Sequence, residues 1–149
     1  MNLKDILKGK LTNDEINQIR RGFDIIGNIA IIEIPGELAE KKNIIVNSLL
    51  EIHKNIKTVL LKKSERKGEF RIRDFEVLYG NETETLHKEY GCVFKLDVAK
   101  VYFSPREGME RQRIVEQVNN NETVLVMFAG IGPYAIRIAK KKHVKIYAI

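Results

Sequence analysis

The feature that most restricts the fold lies at the end of the chain, where two glycines separate an apolar run from a helical pattern. The run extends from Thr123 to Val126, Gly130 and Gly132 follow it, residues 133–142 have helical spacing, and residues 144–149 form a second apolar run. This order predicts one right-handed βαβ unit with two parallel strands. Because parallel sheets normally carry helices on both faces, we expect the unit to be the truncated start of an α/β domain.

The opening third of the chain predicts an α+β arrangement. Thr12 and Glu15 have the spacing of a capping box and therefore predict a short helix. Residues 25–34 are rich in β-branched side chains around Gly27-Asn28, which predicts two strands joined by a tight turn. Apolar residues between Leu38 and Ile52 recur at helical spacing, so an amphipathic helix should pack on these strands.

Apolar and polar residues alternate through the middle of the chain. The alternation predicts strands at residues 59–63, 69–78, 85–89 and 92–103, and residues 88–91 form a plausible hairpin turn. An antiparallel meander is the simplest arrangement of these four strands.

The pattern becomes helical again after Ser104-Pro105. Met109, Ile114 and Val118 fall on one face of the predicted helix, which ends near the asparagines at 119–121. The asparagines are the best candidate boundary. We therefore predict an α+β domain at residues 1–103, a connecting helix at 104–121 and the start of an α/β domain at 122–149.

Composition favours some partners and compartments over others. The 26 Lys and Arg residues exceed the 20 Asp and Glu residues, and the net charge of +6 fits either a polyanionic partner such as nucleic acid or a solvated basic surface. Cys92 is the single cysteine and is expected to be buried, and no cluster of Cys and His predicts a metal site. Neither a membrane span nor a signal peptide is visible, which predicts a soluble cytoplasmic protein.

The glycine loop itself has two interpretations. Gly130 and Gly132 would let the backbone approach a cofactor while the next helix directs free N–H groups at it, but the same spacing also fits a simple tight turn. The loop lacks the third glycine of the dinucleotide fingerprint and the Gly-Lys-Ser/Thr of a P-loop. A nucleotide-binding oxidoreductase is therefore a weaker interpretation of the βαβ unit.

Several motifs in order resemble the archaeal and eukaryotic tRNA (guanine-N1)-methyltransferases. They are Lys67-Gly68-Glu69-Phe70-Arg71-Ile72-Arg73, Thr85-Leu86-His87-Lys88-Glu89-Tyr90-Gly91, Val101-Tyr102-Phe103-Ser104-Pro105-Arg106 with Glu110-Arg111, and Met127-Phe128-Ala129-Gly130-Ile131-Gly132-Pro133-Tyr134. That family uses S-adenosylmethionine to methylate the guanosine 3′ of the anticodon. A sister family, which transfers the aminocarboxypropyl group of the same cofactor during wybutosine synthesis, has a similar loop. Pro133-Tyr134 resembles the methyltransferases more closely.

The resemblance implies a fold and a set of site residues. The fold would be a tRNA-docking α+β domain with an antiparallel sheet, followed by the first βαβ unit of a Rossmann-like class I methyltransferase domain. Arg106 would contact the target guanine as the catalytic residue, although without the resemblance a phosphate contact or a surface residue at a helix start would be the preferred interpretation. The residues implied at the cofactor are Phe128, Ala129, Gly130, Gly132, Pro133 and Tyr134. The residues implied at the tRNA are Lys62, Lys63, Arg66, Lys67, Arg71 and Arg73.

The chain departs from the family pattern in two ways. Val126 stands where the family normally has an acidic residue, so one polar anchor of the cofactor is missing. The acidic residue expected after the second strand, the family's catalytic motif and its general base would lie beyond Ile149, and the small N-terminal domain of some family members would precede Met1. We therefore expect the 149 residues alone not to methylate, with a second polypeptide completing the catalytic domain. The alternative is a non-catalytic tRNA-binding fragment.

Overall fold

The computed structural model describes residues 2–20, 22–63 and 74–149. Two short helices open the chain, α1 (Leu3–Leu7) and α2 (Asn13–Gln18). The predicted capping box is confirmed at α2, where Thr12 Oγ1 accepts from the Glu15 N–H at 3.3 Å and Glu15 Oε2 accepts from the Thr12 N–H at 2.8 Å. Within the described ranges, none of the helices combines the length and hydrophobicity needed to span a bilayer.

A four-stranded sheet forms the centre of the first part of the chain. Its strands, in spatial order, are β1 (Asp24–Ile26), β2 (Ile29–Ile32), β3 (Thr58–Lys62) and β4 (Phe75–Tyr79). The β1–β2 hairpin turns at Gly27 and Asn28 as predicted, and β3 pairs antiparallel with β4. β2 and β3 are parallel, because a 3₁₀-helix (Gly36–Lys41) and α3 (Lys42–Ile52) carry the chain back across the sheet between them.

The predicted antiparallel meander is wrong. β5 (Glu84–Glu89) and β6 (Cys92–Asp97) pair only with each other among the described strands, and β6 ends six residues before the predicted end at position 103. Their turn at Tyr90-Gly91 is confirmed. The alternation of apolar and polar residues identifies strands but not which strands pair. Here β2 and β3 pair although α3 lies between them in sequence, whereas β4 and β5 follow each other in sequence without pairing.

Different elements pack against the two faces of the four-stranded sheet. Ala30 and Val59 face a cluster that includes Leu49 of α3. On the opposite side, Leu60 packs with Phe94 of β6. The β5–β6 hairpin therefore closes the second face of the sheet, so each face of the sheet has its own apolar core.

The last part of the chain contains α4 (Gly108–Gln117), β7 (Thr123–Val126), α5 (Pro133–Lys141) and β8 (Lys145–Ala148). β7 and β8 are parallel, which confirms the predicted βαβ unit. Val115 of α4 and Ile138 of α5 pack with the inner side of β7 and β8. The other side is exposed, since Leu125 and Tyr147 keep about half of their surface in solvent (58% and 48%).

One detail of α4 differs from the prediction. Met109 was expected on the buried face, but it is 81% exposed. Arg111 and Val115 are buried instead, at 1% and 3% exposure. Ile114 and Val118 do pack in one cluster with Val115, so only Met109 departs from the predicted face. Arg111 enters the interior as well, to meet an acidic partner on β5.

Candidate functional site

The loop between β7 and α5 has a backbone that its glycines make possible. Gly130 and Gly132 have φ angles of +56° and +78°, in the left-handed region that side chains disfavour. An added Cβ at Gly130 would meet nothing within 4 Å, so the requirement there is conformational and not steric. Phe128 also has positive φ (+55°) and is 95% exposed, which places a large apolar ring at the surface of the loop.

Several backbone N–H groups lie in this loop. The Ala129 N–H donates to the Ile149 carbonyl at 2.8 Å and the Gly132 N–H to the Ala129 carbonyl at 2.8 Å, which fixes the path of the loop. Within the described part of the chain, the N–H groups of Phe128, Gly130 and Ile131 have no acceptor, and no side chain caps the first turn of α5. A helix N-terminus with free N–H groups suits an anionic group, and these residues therefore fit the carboxylate end of an amino-acid cofactor. Val126 adds no charge there.

Arg106 lies on a short 3₁₀-helix (Pro105–Glu107) next to the edge of the four-stranded sheet. Its Nε donates to Asp24 Oδ1 at 2.6 Å, and 66% of the side chain is exposed. An ion pair this exposed holds the guanidinium only weakly, so Arg106 can exchange Asp24 for another acceptor. Next to it, Glu107 accepts a hydrogen bond from the Tyr102 hydroxyl at 2.5 Å.

The fold brings the Arg106 segment and the glycine loop together. Ile131 of the loop packs against the apolar cluster that contains Phe103, three residues before Arg106. Burial and the carboxylate of Glu107 raise the pKa of Tyr134, so the phenol at the start of α5 stays protonated at neutral pH. Two motifs separated by more than twenty positions in sequence therefore share one region of the surface.

A buried ion network connects this region to the β5–β6 hairpin. Glu89 accepts from Arg111 Nε at 2.9 Å and Nη2 at 2.5 Å, and from Arg137 Nη1 at 2.8 Å. Arg111 also donates to the Ser104 carbonyl and Arg137 to the Gly108 carbonyl, each at 3.0 Å. One carboxylate thus holds β5, α4 and α5 in a fixed relation, and with them the segments that carry Arg106 and the glycine loop.

Aromatic contacts complete the network. The Arg137 guanidinium lies 4.1 Å from the centre of the Tyr90 ring, and that of Arg111 lies 5.0 Å from the centre of the Phe103 ring. Burial alone would raise the pKa of Glu89, but the hydrogen bonds and charges of the two arginines hold it below its usual range. Glu89 is therefore ionised at neutral pH.

The sequence did not reveal this network. The sequence predicts Arg137, Lys140, Lys141, Lys142 and Lys145 as the basic outer face and C-terminal end of a helix, and for Arg137 that prediction is wrong because its side chain is 2% exposed. Two signals were present: Glu89 occupies an inward position of β5, and Arg111 lies four residues before buried Val115 on α4. Opposite charges at two core positions indicate a buried pair only once the elements are known to meet.

The predicted tRNA-contact residues fall into two groups. Lys62 Nζ donates to Glu33 Oε1 at 2.5 Å and its side chain is 16% exposed, and Lys63 Nζ lies 3.7 Å from Glu76 Oε2. Glu33 therefore offsets much of the charge of Lys62, whereas the longer pair of Lys63, whose side chain is 55% exposed, is weak. The other four predicted residues lie outside the described part of the chain: Arg66, Lys67, Arg71 and Arg73.

Comparison with protein families gives two matches that together cover almost the whole chain. Residues 3–83 match the TYW2 N-terminal domain, and residues 85–149 match the TRM5/TYW2 methyltransferase domain. The boundary between the two matches falls at the start of β5, and the second match contains the hairpin, Arg106 and the glycine loop.

Two curated relatives illustrate the range of this similarity. The chain is 52% identical over 120 residues to the tRNA (guanine(37)-N(1))-methyltransferase Trm5b of Pyrococcus abyssi, covering 80% of this chain and 36% of the relative. It is 44% identical over 130 residues to the tRNA(Phe) (4-demethylwyosine(37)-C(7)) aminocarboxypropyltransferase of Methanocaldococcus jannaschii, covering 85% of this chain and 49% of the relative. The chain spans less than half the length of each.

Solved structures agree in fold. The structure described as the complex of aTrm5 and tRNALeu matches with a TM-score of 0.84 and 41% identity, over 99% of this chain and 44% of that one. The structure of M. jannaschii TYW2 in complex with AdoMet matches with a TM-score of 0.56 and 34% identity, over 85% of this chain and 43% of that one. The predicted fold class, an α+β part followed by a Rossmann-like βαβ unit, is confirmed.

Proposed function

The chain belongs to the TRM5/TYW2 methyltransferase family, and on that premise we propose that it is the tRNA-docking part and first cofactor-binding unit of an S-adenosylmethionine-dependent tRNA (guanine-N1)-methyltransferase. The target is N1 of the guanosine on the 3′ side of the anticodon, and the compartment is the cytoplasm. The observation that carries the proposal is the shared location of Arg106 and the glycine loop.

The loop supports the cofactor assignment. S-adenosylmethionine supplies a methyl group on a sulfonium centre, and its amino-acid end carries a carboxylate. Gly130, Ile131 and the first turn of α5 offer backbone N–H groups to that carboxylate. Phe128 and Tyr134 offer aromatic rings, whose faces attract a cationic sulfonium.

Arg106 supports the assignment of the nucleobase. A planar guanidinium donates two parallel hydrogen bonds, and the O6 oxygen of guanine is an acceptor that gains negative charge as N1 loses its proton. Asp24 holds the free guanidinium near the rim of the site at 2.6 Å. Guanine O6 then replaces Asp24 as the acceptor when tRNA binds.

Turnover requires more polypeptide than these 149 residues. The curated relatives are about twice as long, and the outer side of β7 and β8 presents Leu125, Met127 and Tyr147 to solvent. We propose that further polypeptide, in the same or in a second chain, covers this side and supplies the rest of the cofactor site. The 149 residues alone bind without methylating.

One alternative has a specific observation in its favour. The first 80 or so residues match the TYW2 N-terminal domain, and an aminocarboxypropyltransferase is among the relatives. The two reactions use the same cofactor and, by the relatives' names, act at the same tRNA position. They differ in the carbon next to the sulfonium that is attacked and in the base that attacks it, through N1 of guanine or C7 of 4-demethylwyosine. A fragment that only binds tRNA is a third possibility, since the docking part does not need the cofactor.

Calorimetric titration of the chain separates these functions. A tRNA transcript with guanosine 3′ of the anticodon and S-adenosylmethionine are titrated separately, each at low and at moderate salt. We expect tRNA affinity to fall steeply with salt and the cofactor to bind detectably and without strong salt dependence.

Each outcome bears on the proposal. Binding of tRNA without the cofactor would leave a docking fragment and contradict the cofactor assignment. Binding of neither ligand would contradict the proposal as a whole. Methyl transfer by the purified chain alone would overturn the claim that more polypeptide is required.

A further inference from the structure

A groove of about 900 Å³ lies between the β1–β2 turn and the β5–β6 hairpin, and one of its lining residues, His87, has its Nε2 3.9 Å from Oε2 of Glu89 in the ion network. We call it the hairpin groove and define it by Asn28, Asn55, Leu86, Lys88 and Lys95, which all line it. It contains none of the residues assigned above to the cofactor or to the target guanine. Its volume and shape are therefore not explained by the proposed catalytic site.

The hairpin groove has a rigid floor. Gly27 has a φ of +58°, and a Cβ there would lie 2.1 Å from Thr85 Oγ1 and 2.6 Å from the Leu86 carbonyl oxygen, so the turn is pressed directly against β5. The Asn28 N–H donates to Thr85 Oγ1 at 3.1 Å, and the Gly27 N–H donates to His87 Nδ1 at 3.2 Å. The groove is thus a fixed feature of how the hairpin docks on the sheet.

Its lining carries two lysines and one acid, Glu84, together with the amides of Asn28 and Asn55. Thr85 Oγ1 donates to Asn28 Oδ1 at 2.8 Å, which leaves the amide nitrogen of Asn28 as the group available to a ligand. Lys88 has no acidic partner in the described part of the chain. Lys95 pairs with Glu84 at 2.9 Å, but both side chains are more than half exposed and such a pair is weak.

Charge and apolar surface occur together here. Lys54 directly precedes the lining residue Asn55 and Lys57 follows it by two positions; both lysines are exposed, and no described acid pairs with either of them. Leu86 contributes an apolar wall that is 57% exposed. Donors with positive charge around an apolar wall match a sugar–phosphate backbone, whose phosphates accept hydrogen bonds and whose sugars present apolar faces.

Lys62, one of the predicted tRNA contacts, differs from Lys88 in its surroundings. Lys62 Nζ lies 2.5 Å from Glu33 Oε1 and its side chain is 16% exposed, whereas Lys88 is exposed and pairs with no acid among the described residues. Counterion release depends on lysines whose charge is not already matched by the protein. We propose that the hairpin groove binds the RNA sugar–phosphate backbone and provides a contact with tRNA in addition to the contact of Arg106 with the target guanine. This inference rests on the proposed function, because the RNA is the same substrate.

Paired variants of equal charge test the inference. Lys88→Gln with Lys95→Gln removes two positive charges from the hairpin groove, and Lys140→Gln with Lys141→Gln removes two from the exposed end of α5. Binding of the unmodified tRNA transcript is measured by fluorescence anisotropy across a series of salt concentrations, after circular dichroism and thermal unfolding confirm that each variant folds. Asn55→Asp, which keeps every lysine, places a carboxylate in the groove.

We expect the groove pair to weaken tRNA binding about tenfold at moderate salt and to reduce the salt slope by about 2, with a clearly smaller effect of the α5 pair. Asn55→Asp should weaken binding in the same direction. Equal losses from both pairs, or a loss confined to the α5 pair, would overturn the groove assignment and leave the proposed function intact. Failure of the unaltered chain to bind the transcript at low salt would overturn both.

Discussion

Replacing Glu89 by glutamine tests whether the buried ion network holds the site together. The glutamine side chain has nearly the same shape but carries no charge, so Arg111 and Arg137 would remain buried beside a neutral partner. Their side chains are 1% and 2% exposed, and water cannot replace the lost carboxylate without opening the contact between β5, α4 and α5.

The size of the effect follows from this burial. Removing one partner of a buried ion pair costs about 3–5 kcal/mol, which is a large share of the roughly 5–15 kcal/mol that stabilises a typical domain. For a protein of this size each kcal/mol lowers the midpoint of thermal unfolding by about 2–4 °C. We therefore expect Glu89→Gln to lower the midpoint by about 10 °C.

Differential scanning calorimetry at pH 7 measures this change, and Glu76→Gln is the matched control. Glu76 also pairs with two lysines, Lys42 at 3.0 Å and Lys63 at 3.7 Å, but a third of its side chain is exposed and its loss should matter far less. Equal shifts in the two variants would refute the argument that burial makes the Glu89 network strong.

The lowered pKa of Glu89 also predicts how the effect of Glu89→Gln on the unfolding midpoint depends on pH. The arginines hold the pKa of Glu89 below its usual range in the folded protein, so its contribution to stability is complete above the ordinary glutamate pKa of about 4.3 and is lost as the pH falls through the lower folded value. The difference in unfolding midpoint between the original chain and Glu89→Gln should be constant near neutral pH and shrink at acidic pH. A difference that grows on acidification would contradict the assignment.

Further substitutions test the loop, the hairpin and the proposed ligand contacts. Gly132→Ala should cost about 1–2 kcal/mol in urea unfolding, because its φ of +78° is left-handed. Gly27→Ala should destabilise the chain more strongly, since the new methyl would overlap Thr85. Arg106→Gln should change the free energy of unfolding by less than about 1 kcal/mol but abolish methyl transfer in the completed enzyme. Val126→Asp should tighten S-adenosylmethionine binding in calorimetry, because it restores the acidic anchor that the family resemblance leads us to expect.

Local features of the fold could be predicted from the sequence. The Thr12 capping box, the turn at Gly27-Asn28 and the βαβ unit all depend on residues close together in the chain, where spacing alone fixes the geometry. The pairing of β2 with β3 could not be predicted in the same way, because the partner of a strand depends on how α3 crosses the sheet.

The candidate site also combines a local feature that the sequence predicts with a long-range contact that it does not predict. The positive φ of Gly130 and Gly132 agrees with the loop inferred from their spacing. Glu89 and Arg137 are separated by 48 positions, and nothing in either local pattern indicates that they meet. The bounds of the domains and the roles of the site residues stay predictions.

The most direct test of the account is a titration of the isotope-labelled chain with S-adenosylmethionine followed by amide NMR. The account predicts saturable shifts that concentrate at Gly130, Gly132 and the first turn of α5, where free N–H groups are expected to face the cofactor carboxylate. Shifts that are absent from this loop at saturating cofactor, or that lie mainly elsewhere on the chain, would contradict the claim that it begins a cofactor site.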